Sequence, residues 1–469
     1  MYDIVIKNCI AIDPLKGKFI GDVGIYKGKI AFIGRIKGGK NIIDAKGKYL
    51  FPGFIDNHSH ADISGVYEGK NHPSLKQGIT TSIIGNCGLG IYPYAGEEFF
   101  EIWSSVFGNY PVEKFKKRED YFNFLSKSKL KLLPLLPYNT VRYSFFKNRP
   151  HLKKDDKKKL LYFIEREIEH FYGLSIGLGY APGIFLNKTE IEEIFRIVKR
   201  KNKSISVHIR NEGKSLISSL KEVIDVAKRT DVSLIISHFK SYGKRNWYKM
   251  DRAIEILENA SRYINICFDV YPYTSGSTSL FSFLPVKIQI LGRKKAISFL
   301  KNKNIKIKEP YVGWDSLKII GHPEYQFLSI SEIAKLKRKS ESEVFIEILI
   351  DTDGRAGVII EAMSEENLLK LLKHPLSRLG SDSLFGRPYH IRTEEAFKKF
   401  LFYYIKKKKI LSPVEAIKKL SYNQAVWFGL KKGRIEVGYD GELVIVDMEK
   451  EKICSVITSS FNKPLFPDN

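Results

Sequence analysis

Two histidines separated by one residue, His58 and His60, are the first side chains in this sequence whose spacing suggests shared chemistry. They follow apolar and turn-forming residues in the stretch YLFPGFIDNHSHAD, residues 49–62. In an extended strand, residues i and i+2 point to the same face, so both imidazoles would project together from one strand end. Two loop histidines without a common partner would need no such spacing. The pair therefore predicts a metal site.

Three further candidate ligands follow or end short apolar runs. Cys87 comes after ITTSIIGN, His208 lies in SISVHIRNEG, and His238 lies in VSLIISHFK. Taken singly, Cys87 is explained as a small buried residue, and each histidine as a polar residue with ordinary hydrogen bonds. Imidazole nitrogen and thiolate sulfur are, however, favoured zinc ligands. Five such residues in equivalent places along the chain predict that they bind zinc together.

Eight short apolar runs, each ending in polar or reactive residues, would position these side chains. They are YLFPGFID, ITTSIIGN, LKLLPLLPYNT, GLSIGLGYAPG, SISVHIRNEG, VSLIISHFK, INICFDVYPYTSGS and LSRLGSDSL. Amphipathic stretches of helical length, such as LNKTEIEEIFRIVKRKNK, lie between most of them. Alternating strands and helices indicate a parallel sheet with crossover helices. Eight such units predict an α/β fold, a TIM-type (β/α)8 barrel, in which the chemistry takes place at the C-terminal ends of the strands.

The two ends of the chain do not fit the barrel pattern. Residues 1–50 and 431–469 contain several short strands and turns, which predicts one small β-sandwich domain built from both chain ends. The barrel would then cover residues 51–430. Residues 281–375 are too long for one crossover helix, so we expect an insertion between barrel strands 7 and 8.

Asp382, in the last apolar run, is the candidate catalytic residue. A carboxylate beside a metal site can take a proton from a metal-activated water and later deliver it to a leaving group. The competing explanation is a surface aspartate or a helix cap.

The chain is strongly basic, with 78 Lys and Arg against 52 Asp and Glu, a formal net charge of +26 in 469 residues. Such a charge raises the question of nucleic-acid binding. The basic residues, however, fall in helix-like stretches such as HLKKDDKKKLLYFIEREIEHFYG, where Leu160, Ile164 and Ile168 form an apolar stripe. The lysines then form the solvated face, so nucleic acid is not the predicted partner. The charge would favour anionic small-molecule substrates.

Two features bear on the compartment. No apolar run approaches the roughly 20 residues that span a bilayer, which argues against a membrane partner. The four cysteines are widely scattered, without the spacing of a disulfide framework. We therefore expect a cytoplasmic protein, and the sequence does not predict an oligomeric state.

The same stretches carry a family resemblance. The chain resembles the D-aminoacylase, or N-acyl-D-amino-acid deacylase, branch of the amidohydrolase superfamily. The matching stretches run in family order over nearly the whole chain: PGFIDNHSHAD, GITTSIIGNCG, GLSIGLGYAPG, HIRNEG, SHFK, DVYPYTSGSTSL, GSDS and GLKKGRIEVGYDGELVIVD. GNCG together with YPYTSGSTSL indicates the branch, whereas the two histidines alone indicate only the superfamily.

The resemblance implies a division of the metal ligands. Cys87, His208 and His238 would hold one tight zinc, while His58 and His60 would form a second, weaker site that Cys87 can bridge. Many superfamily members bridge two metals with a carboxylated lysine on strand 4, but the strand-4 stretch GLSIGLGY has no lysine. By the same resemblance, the substrate carboxylate would be bound by Tyr180, Lys240, Tyr271, Ser277 and Arg392.

The sequence departs from the branch around the substrate. PYNTVR on strand 3, Phe239 in SHFK and YHIRTEEAFKK after Asp382 differ from the usual family stretches, although Arg392 keeps its place. These departures concern the substrate side chain and leave the metal ligands intact.

We predict zinc-dependent hydrolysis of a linear amide bond, namely the deacylation of N-acyl-D-amino acids to a D-amino acid and a carboxylate. A cyclic-amide hydrolase of the hydantoinase or dihydroorotase type is the first alternative, although it would more typically carry the strand-4 lysine. A non-catalytic scaffold on the same fold would be expected to have lost metal ligands, and none of the candidates is missing here. A nucleic-acid-binding protein would show a steep salt dependence of affinity.

Overall fold

Strands from both ends of the chain form one seven-stranded sheet in the computed structural model, which describes residues 1–302, 305–458 and 465. Its strands are Tyr2–Asp13, Gly17–Tyr26, Lys29–Gly34, Gly39–Asp44, Tyr49–Pro52, Leu443–Asp447 and Lys452–Ile457. This sheet has an apolar core of its own, with Ile6, Val23, Leu50 and Leu443 fully buried. Residues 459–464 and 466–469 of the predicted small domain lie outside the described residues.

The parallel strands form two further sheets in the described part of the chain. The first sheet contains Phe54–Asp56, Ile79–Ile84 and Lys131–Pro134, and the second contains Leu136–Pro137, Gly173–Gly177, Ser204–His208, Ser233–Ile236, Ile266–Val270 and Ser377–Leu379. Each of the eight runs predicted as a buried strand contains one of these parallel strands, except the third, which contains two, separated at Leu135. The parallel pairing predicted from the strand and helix alternation is therefore confirmed.

Backbone contacts link the first and last of these strands. The Asn57 N–H donates to the Leu379 carbonyl at 3.1 Å, and the Asp382 N–H donates to the His58 carbonyl at 2.8 Å. Ser59 and Ser383 form a parallel bridge further along. These contacts bring the predicted catalytic aspartate next to the predicted histidine pair.

The stretch that precedes the histidine pair is shared between two sheets. Tyr49–Pro52 pairs with the terminal sheet, whereas Phe54–Asp56 pairs with the parallel strand Ile79–Ile84. Gly53 separates the two strands, and a Cβ atom there would lie 2.4 Å from the Thr80 hydroxyl. The change of sheet therefore requires a glycine at this position.

Helices cover the parallel strands, and a small antiparallel sheet with its own helices precedes the last strand. The longer helices are Arg118–Ser126, Tyr138–Phe146, Lys154–Glu167, Lys188–Arg200, Leu216–Thr230, Lys249–Ser261, Arg293–Asn302, Ile330–Lys337, Glu341–Asp351 and Glu365–Lys373. Shorter ones are Ser64–Tyr67, Pro73–Lys76, Glu97–Ile102, Ser104–Phe107, Val286–Gln289, Arg392–Lys398, Pro413–Ile417 and Asn423–Trp427. The chain widens into π-helical turns at Lys399–Lys407 and Lys418–Tyr422.

The antiparallel sheet contains Ser275–Ser279, Leu317–Ile320 and Gly357–Glu361. It therefore begins six residues before the start predicted for the insertion, residues 281–375, of which 303–304 lie outside the described residues. Ser277, a predicted substrate residue, is part of this sheet and not of a parallel strand.

The lysine-rich helix Lys154–Glu167 shows why the charge of the chain is carried on its surface. Leu160 and Ile164 are buried, as are Ile168 and Phe171 after it, which confirms the predicted apolar stripe. In the described residues, no helix is both long and apolar enough to cross a membrane.

Candidate metal centre and active site

The five predicted metal ligands converge at the C-terminal ends of the parallel strands. His58 and His60 follow Phe54–Asp56, Cys87 follows Ile79–Ile84, His208 ends its strand, and His238 lies two residues after Ile236. The Cys87 Sγ lies 3.4 Å from the His58 Nε2 and 3.3 Å from the His238 Nε2. The rings of His208 and His238 are 4.5 Å apart between centroids.

These side chains form two groups that share one cysteine. His58, His60 and Cys87 offer ligand atoms within 4.8 Å of one another, and Cys87, His208 and His238 do the same. Two ligands of one tetrahedral zinc, with bonds near 2.0 Å to nitrogen and 2.3 Å to sulfur, lie about 3.5 Å apart. The observed sulfur–nitrogen distances of 3.3 and 3.4 Å match that value. The residues therefore fit zinc in both donor type and spacing.

The backbone at three site residues is held in the left-handed region. Cys87 has φ +56°, His238 has φ +34° and Asp382 has φ +48°. Non-glycine residues adopt this region at a cost, and such strain concentrates at functional sites where the surrounding structure imposes it. Each of the three follows a parallel strand, so the strained turn directs the side chain inward over the strand ends.

Burial lowers the pKa of three of the four candidate histidines, whereas at His58 the charge of Asp269 outweighs burial and raises the pKa well above its usual range. Burial lowers the pKa of His60 and of His208 to about 3, and it also holds the pKa of His238 well below its usual range. These imidazoles are neutral, as metal ligation requires. Burial raises the pKa of the Cys87 thiol, so a nearby metal cation is needed to hold it as the thiolate.

Two carboxylates contact the Nδ1 atoms of candidate ligand histidines, and neither was identified as a site residue from the sequence. The Nδ1 of His58 lies 3.1 Å from an oxygen of Asp269, and the Nδ1 of His238 lies 2.8 Å from Glu212. A carboxylate that accepts the Nδ1 proton leaves the Nε2 lone pair free for a metal and fixes the ring orientation. Glu212 lies in HIRNEG and Asp269 in DVYPYTSGSTSL, so the motifs contained both residues without revealing their partners.

Glu212→Gln is expected to lower zinc affinity by about 10–100-fold, the usual cost of changing a carboxylate behind a metal-ligating histidine. A glutamine amide can donate to the His238 Nδ1, which would leave the proton on Nε2 and block ligation. Competition with a chromophoric chelator measures the affinity.

Glu258→Gln is the matched control. Glu258 also forms a glutamate–histidine pair, with 3.2 Å between its carboxylate and the His374 Nε2, but this pair is not part of the site. Equal zinc affinity in the Glu212 variant and the control would show that Glu212 does not orient the ligand.

Asp382 stands beside the histidine pair. One of its oxygens lies 3.6 Å from the His58 Nε2 and 3.7 Å from the His60 Nε2, and the other lies 2.8 Å from an Arg392 nitrogen. Burial opposes ionisation, but the charge of Arg392 outweighs it and holds the pKa of Asp382 well below its usual range. The carboxylate is therefore ionised, which is the form that a general base requires.

A cavity of about 200 Å³ opens beside this cluster. Three of the predicted substrate residues line it: Tyr180, Lys240 and Ser277. The ammonium of Lys240 lies 2.7 Å from Glu212, and the Tyr180 hydroxyl donates to the Cys87 carbonyl.

The other two predicted substrate residues lie behind the cavity wall. Arg392 is 1 % exposed, and its guanidinium sits 4.6 Å from the centre of the Tyr271 ring. Its Nε and Nη1 have no hydrogen-bond partner among the described residues. Arg392 therefore retains buried donors beside the site in addition to its contact with Asp382.

Comparison with known proteins finds relatives whose similarity covers nearly the whole chain. The chain is 25% identical to an N-acyl-D-aspartate deacylase of Alcaligenes xylosoxydans xylosoxydans over 95% of this chain and 86% of the relative. It is 26% identical to a D-aminoacylase of the same organism over 91% of this chain and 84% of the relative. A crystal structure of an N-acyl-D-glutamate deacylase from Bordetella bronchiseptica, complexed with zinc and a phosphonate inhibitor, matches with a TM-score of 0.83. That match has 22% sequence identity and covers 100% of this chain and 97% of the other.

The model of the amidohydrolase family matches residues 49–466, which include every metal-ligand candidate and Asp382. The parallel strands, the convergence of histidine and cysteine at their C-terminal ends, and this match agree on one assignment. The chain belongs to the amidohydrolase family.

Proposed function

We propose that this protein is a zinc-dependent hydrolase that removes the acyl group from N-acyl-D-amino acids. The observation that carries the proposal is the buried histidine and cysteine cluster with ionised Asp382 at 3.6 Å from His58. The deacylases to which the chain is similar support the substrate class and its stereochemistry.

The parallel strands support a closed (β/α)8 barrel over residues 51–430. The hydrogen bond from Asn57 to Leu379 and the bridge between Ser59 and Ser383 favour closure between the first and last strands. We also propose that residues 1–50 with 431–469 belong to a small β-sandwich domain, and that residues 281–375 are an insertion between barrel strands 7 and 8. The cytoplasm remains the compartment we expect.

The two ligand groups support one tight zinc on Cys87, His208 and His238 and a weaker second site on His58 and His60. In the first group, the Cys87 Sγ lies 3.3 Å from the His238 Nε2. Glu212 contacts the other ring nitrogen of His238 and would orient that ring. The chemistry that such an ion supplies is Lewis acidity, which polarises an amide carbonyl and acidifies water.

Asp382 acts as the general base and then as the general acid of the hydrolysis. Its carboxylate accepts one proton from the attacking water as the carbon–oxygen bond forms. It then delivers that proton to the amide nitrogen as the carbon–nitrogen bond breaks, so the products are a free amine and a carboxylate. Arg392 favours the ionised form of Asp382 that begins this cycle.

The carboxylate of the amino acid would be bound by the buried cations and hydroxyls beside Asp382. Lys240 and Ser277 reach the cavity, and Arg392 with Tyr271 lies immediately behind it. Tyr180 lies beside the ligands, where its ring is 5.3 Å from that of His208. Charged donors combined with hydroxyls bind a carboxylate tightly.

The test of this function is hydrolysis of N-acetyl-D- and N-acetyl-L-amino acids, with hydantoins as the cyclic-amide controls. Arg392→Met is expected to raise KM for N-acyl-D-amino acids, with a loss in kcat/KM worth about 2–4 kcal/mol, the scale of a buried charge left unpaired. Neutral amide analogues without the carboxylate should be poor substrates that the change affects little.

Arg293→Met is the control, because Arg293 is also 1 % exposed and ion-paired, but its partners are Glu101 and Asp353 and not a residue of the site. Equal losses on both substrate types would mean that Arg392 acts only through Asp382. Fast wild-type turnover of hydantoins would favour the cyclic-amide alternative instead.

A further inference from the structure

One cation of the cavity wall is already fully engaged by the protein. Arg210 lines the cavity and donates to both oxygens of Glu222, at 3.0 and 2.9 Å. It also donates to the carbonyl oxygens of Ile184 and Leu186, at 2.8 and 2.9 Å. A guanidinium has five N–H donors, so these four bonds leave it little capacity for a ligand.

The remaining basic side chains suffice for a single carboxylate. Besides Arg210, Lys240 is the one Lys or Arg side chain among the described residues that line the cavity, and its ammonium already lies 2.7 Å from Glu212, 2.7 Å from the His238 Nδ1 and 2.9 Å from the His238 carbonyl. Arg392 is ion-paired with Asp382, and its Nε and Nη1, which have no partner among the described residues, are enough for one carboxylate. A substrate with a second carboxylate would therefore bring a charge into the cavity without a partner, which is costly.

Apolar side chains also line the cavity. They are Leu89, Trp103, Val106, Phe283, Ile360 and Leu384. All but Phe283 are largely buried, so these side chains are fixed in place. Such a surface is suited to an aliphatic or aromatic group and not to a carboxylate.

Trp103 and Ser282 line both this cavity and a second, smaller one. The second cavity has a volume of about 20 Å³, and its other lining residues include the aromatic Phe99, Tyr143 and Phe281 and the polar Asn148, Ser279 and Gln289. Trp103 is 6 % exposed, and its ring lies 4.9 Å from that of Tyr180, which fixes the indole between the two spaces. Because the Trp103 side chain lines both spaces, we expect a smaller residue at position 103 to join them.

We propose that the substrate group other than the α-carboxylate and the scissile amide is apolar, that it packs against Trp103, and that Trp103 limits its length. This inference rests on the proposed deacylase function. It distinguishes the chain from the N-acyl-D-aspartate deacylase to which it is similar, whose substrate carries an acidic side chain.

The test measures kcat/KM of the zinc-loaded enzyme on two substrate series. One series varies the side chain among N-acetyl-D-alanine, -leucine, -phenylalanine, -aspartate and -glutamate. The other lengthens the acyl group of D-alanine from acetyl to butanoyl and hexanoyl. We expect the wild type to prefer D-leucine or D-phenylalanine over both acidic substrates by about 100-fold or more, since an unpaired carboxylate must be desolvated.

Trp103→Ala is expected to raise the preference for long over short substrates about tenfold in one of the two series. That series identifies whether the side chain or the acyl group faces residue 103. Trp103→Phe, which keeps an aromatic wall, should leave the preference near the wild-type value, and Trp103→Leu provides the same comparison if the alanine variant does not fold.

The outcomes are distinguishable. Faster turnover of the acidic substrates would overturn the apolar assignment while leaving the deacylase function intact. An unchanged length preference in both series would overturn the role of Trp103. If no substrate in either series were hydrolysed, the proposed function would fail, and this inference with it.

Discussion

Asp382→Asn is expected to lower kcat by about 10²–10⁴-fold, the usual contribution of general acid–base catalysis. The amide that replaces the carboxylate cannot accept the proton of the attacking water. Asparagine also tolerates the left-handed backbone at this position, where φ is +48°, so the turn should be retained. Zinc on Cys87, His208 and His238 should be retained as well, because Asp382 is not among those ligands.

Single-turnover kinetics and elemental analysis on the same preparation check both halves of this expectation. Asp231→Asn provides a matched control: Asp231 also has positive φ, at +52°, but its side chain is 72% exposed and pairs with Lys199 on the surface. A fall in kcat of less than threefold in the Asp382 variant would require a different base. A concurrent loss of zinc would show that Asp382 supports the metal.

The convergence of the metal-ligand candidates could be predicted from the sequence, because it follows from local rules. A run of apolar residues predicts a buried strand, and the chemistry of an α/β fold collects at strand ends. His58, Cys87, His208 and His238 each stand at or just after such a run, so their convergence required no knowledge of long-range contacts.

The partners of those ligands could not be predicted in the same way. Asp269 reaches His58 across 211 residues of sequence, and Glu212 reaches His238 across 26. Nothing in the local pattern distinguishes these carboxylates from the many that form surface ion pairs. Their role depends on the packing of neighbouring strands, which only the folded chain specifies.

The surroundings of Arg392 were also beyond sequence reasoning. Arg392 is the first residue of the helix Arg392–Lys398 and is buried against Tyr271. His390 helps fix this turn, since it accepts the Arg392 N–H at 3.0 Å and lies 2.7 Å from the Ser275 hydroxyl. The altered stretch YHIRTEEAFKK thus forms contacts of its own with the antiparallel sheet.

The shared position of Cys87 between the two ligand groups leads to the second large expected effect. Cys87→Ala should lower zinc affinity by more than the roughly 10–100-fold cost of changes behind the ligands, because it removes a ligand itself. Amide hydrolysis should be abolished. Alanine fills less space than cysteine but has the same Cβ, so the strained backbone at φ +56° is not made worse by the change.

Cys267→Ala separates this effect from the loss of a buried sulfur. Cys267 is 1 % exposed in the strand Ile266–Val270, and burial raises the pKa of its thiol to about 12, but it belongs to neither ligand group. The control should retain zinc and activity, whereas the Cys87 variant should lose both. A Cys87 variant with full zinc content and normal turnover would reduce Cys87 to a packing residue, and the four histidines would then have to hold the metal without sulfur.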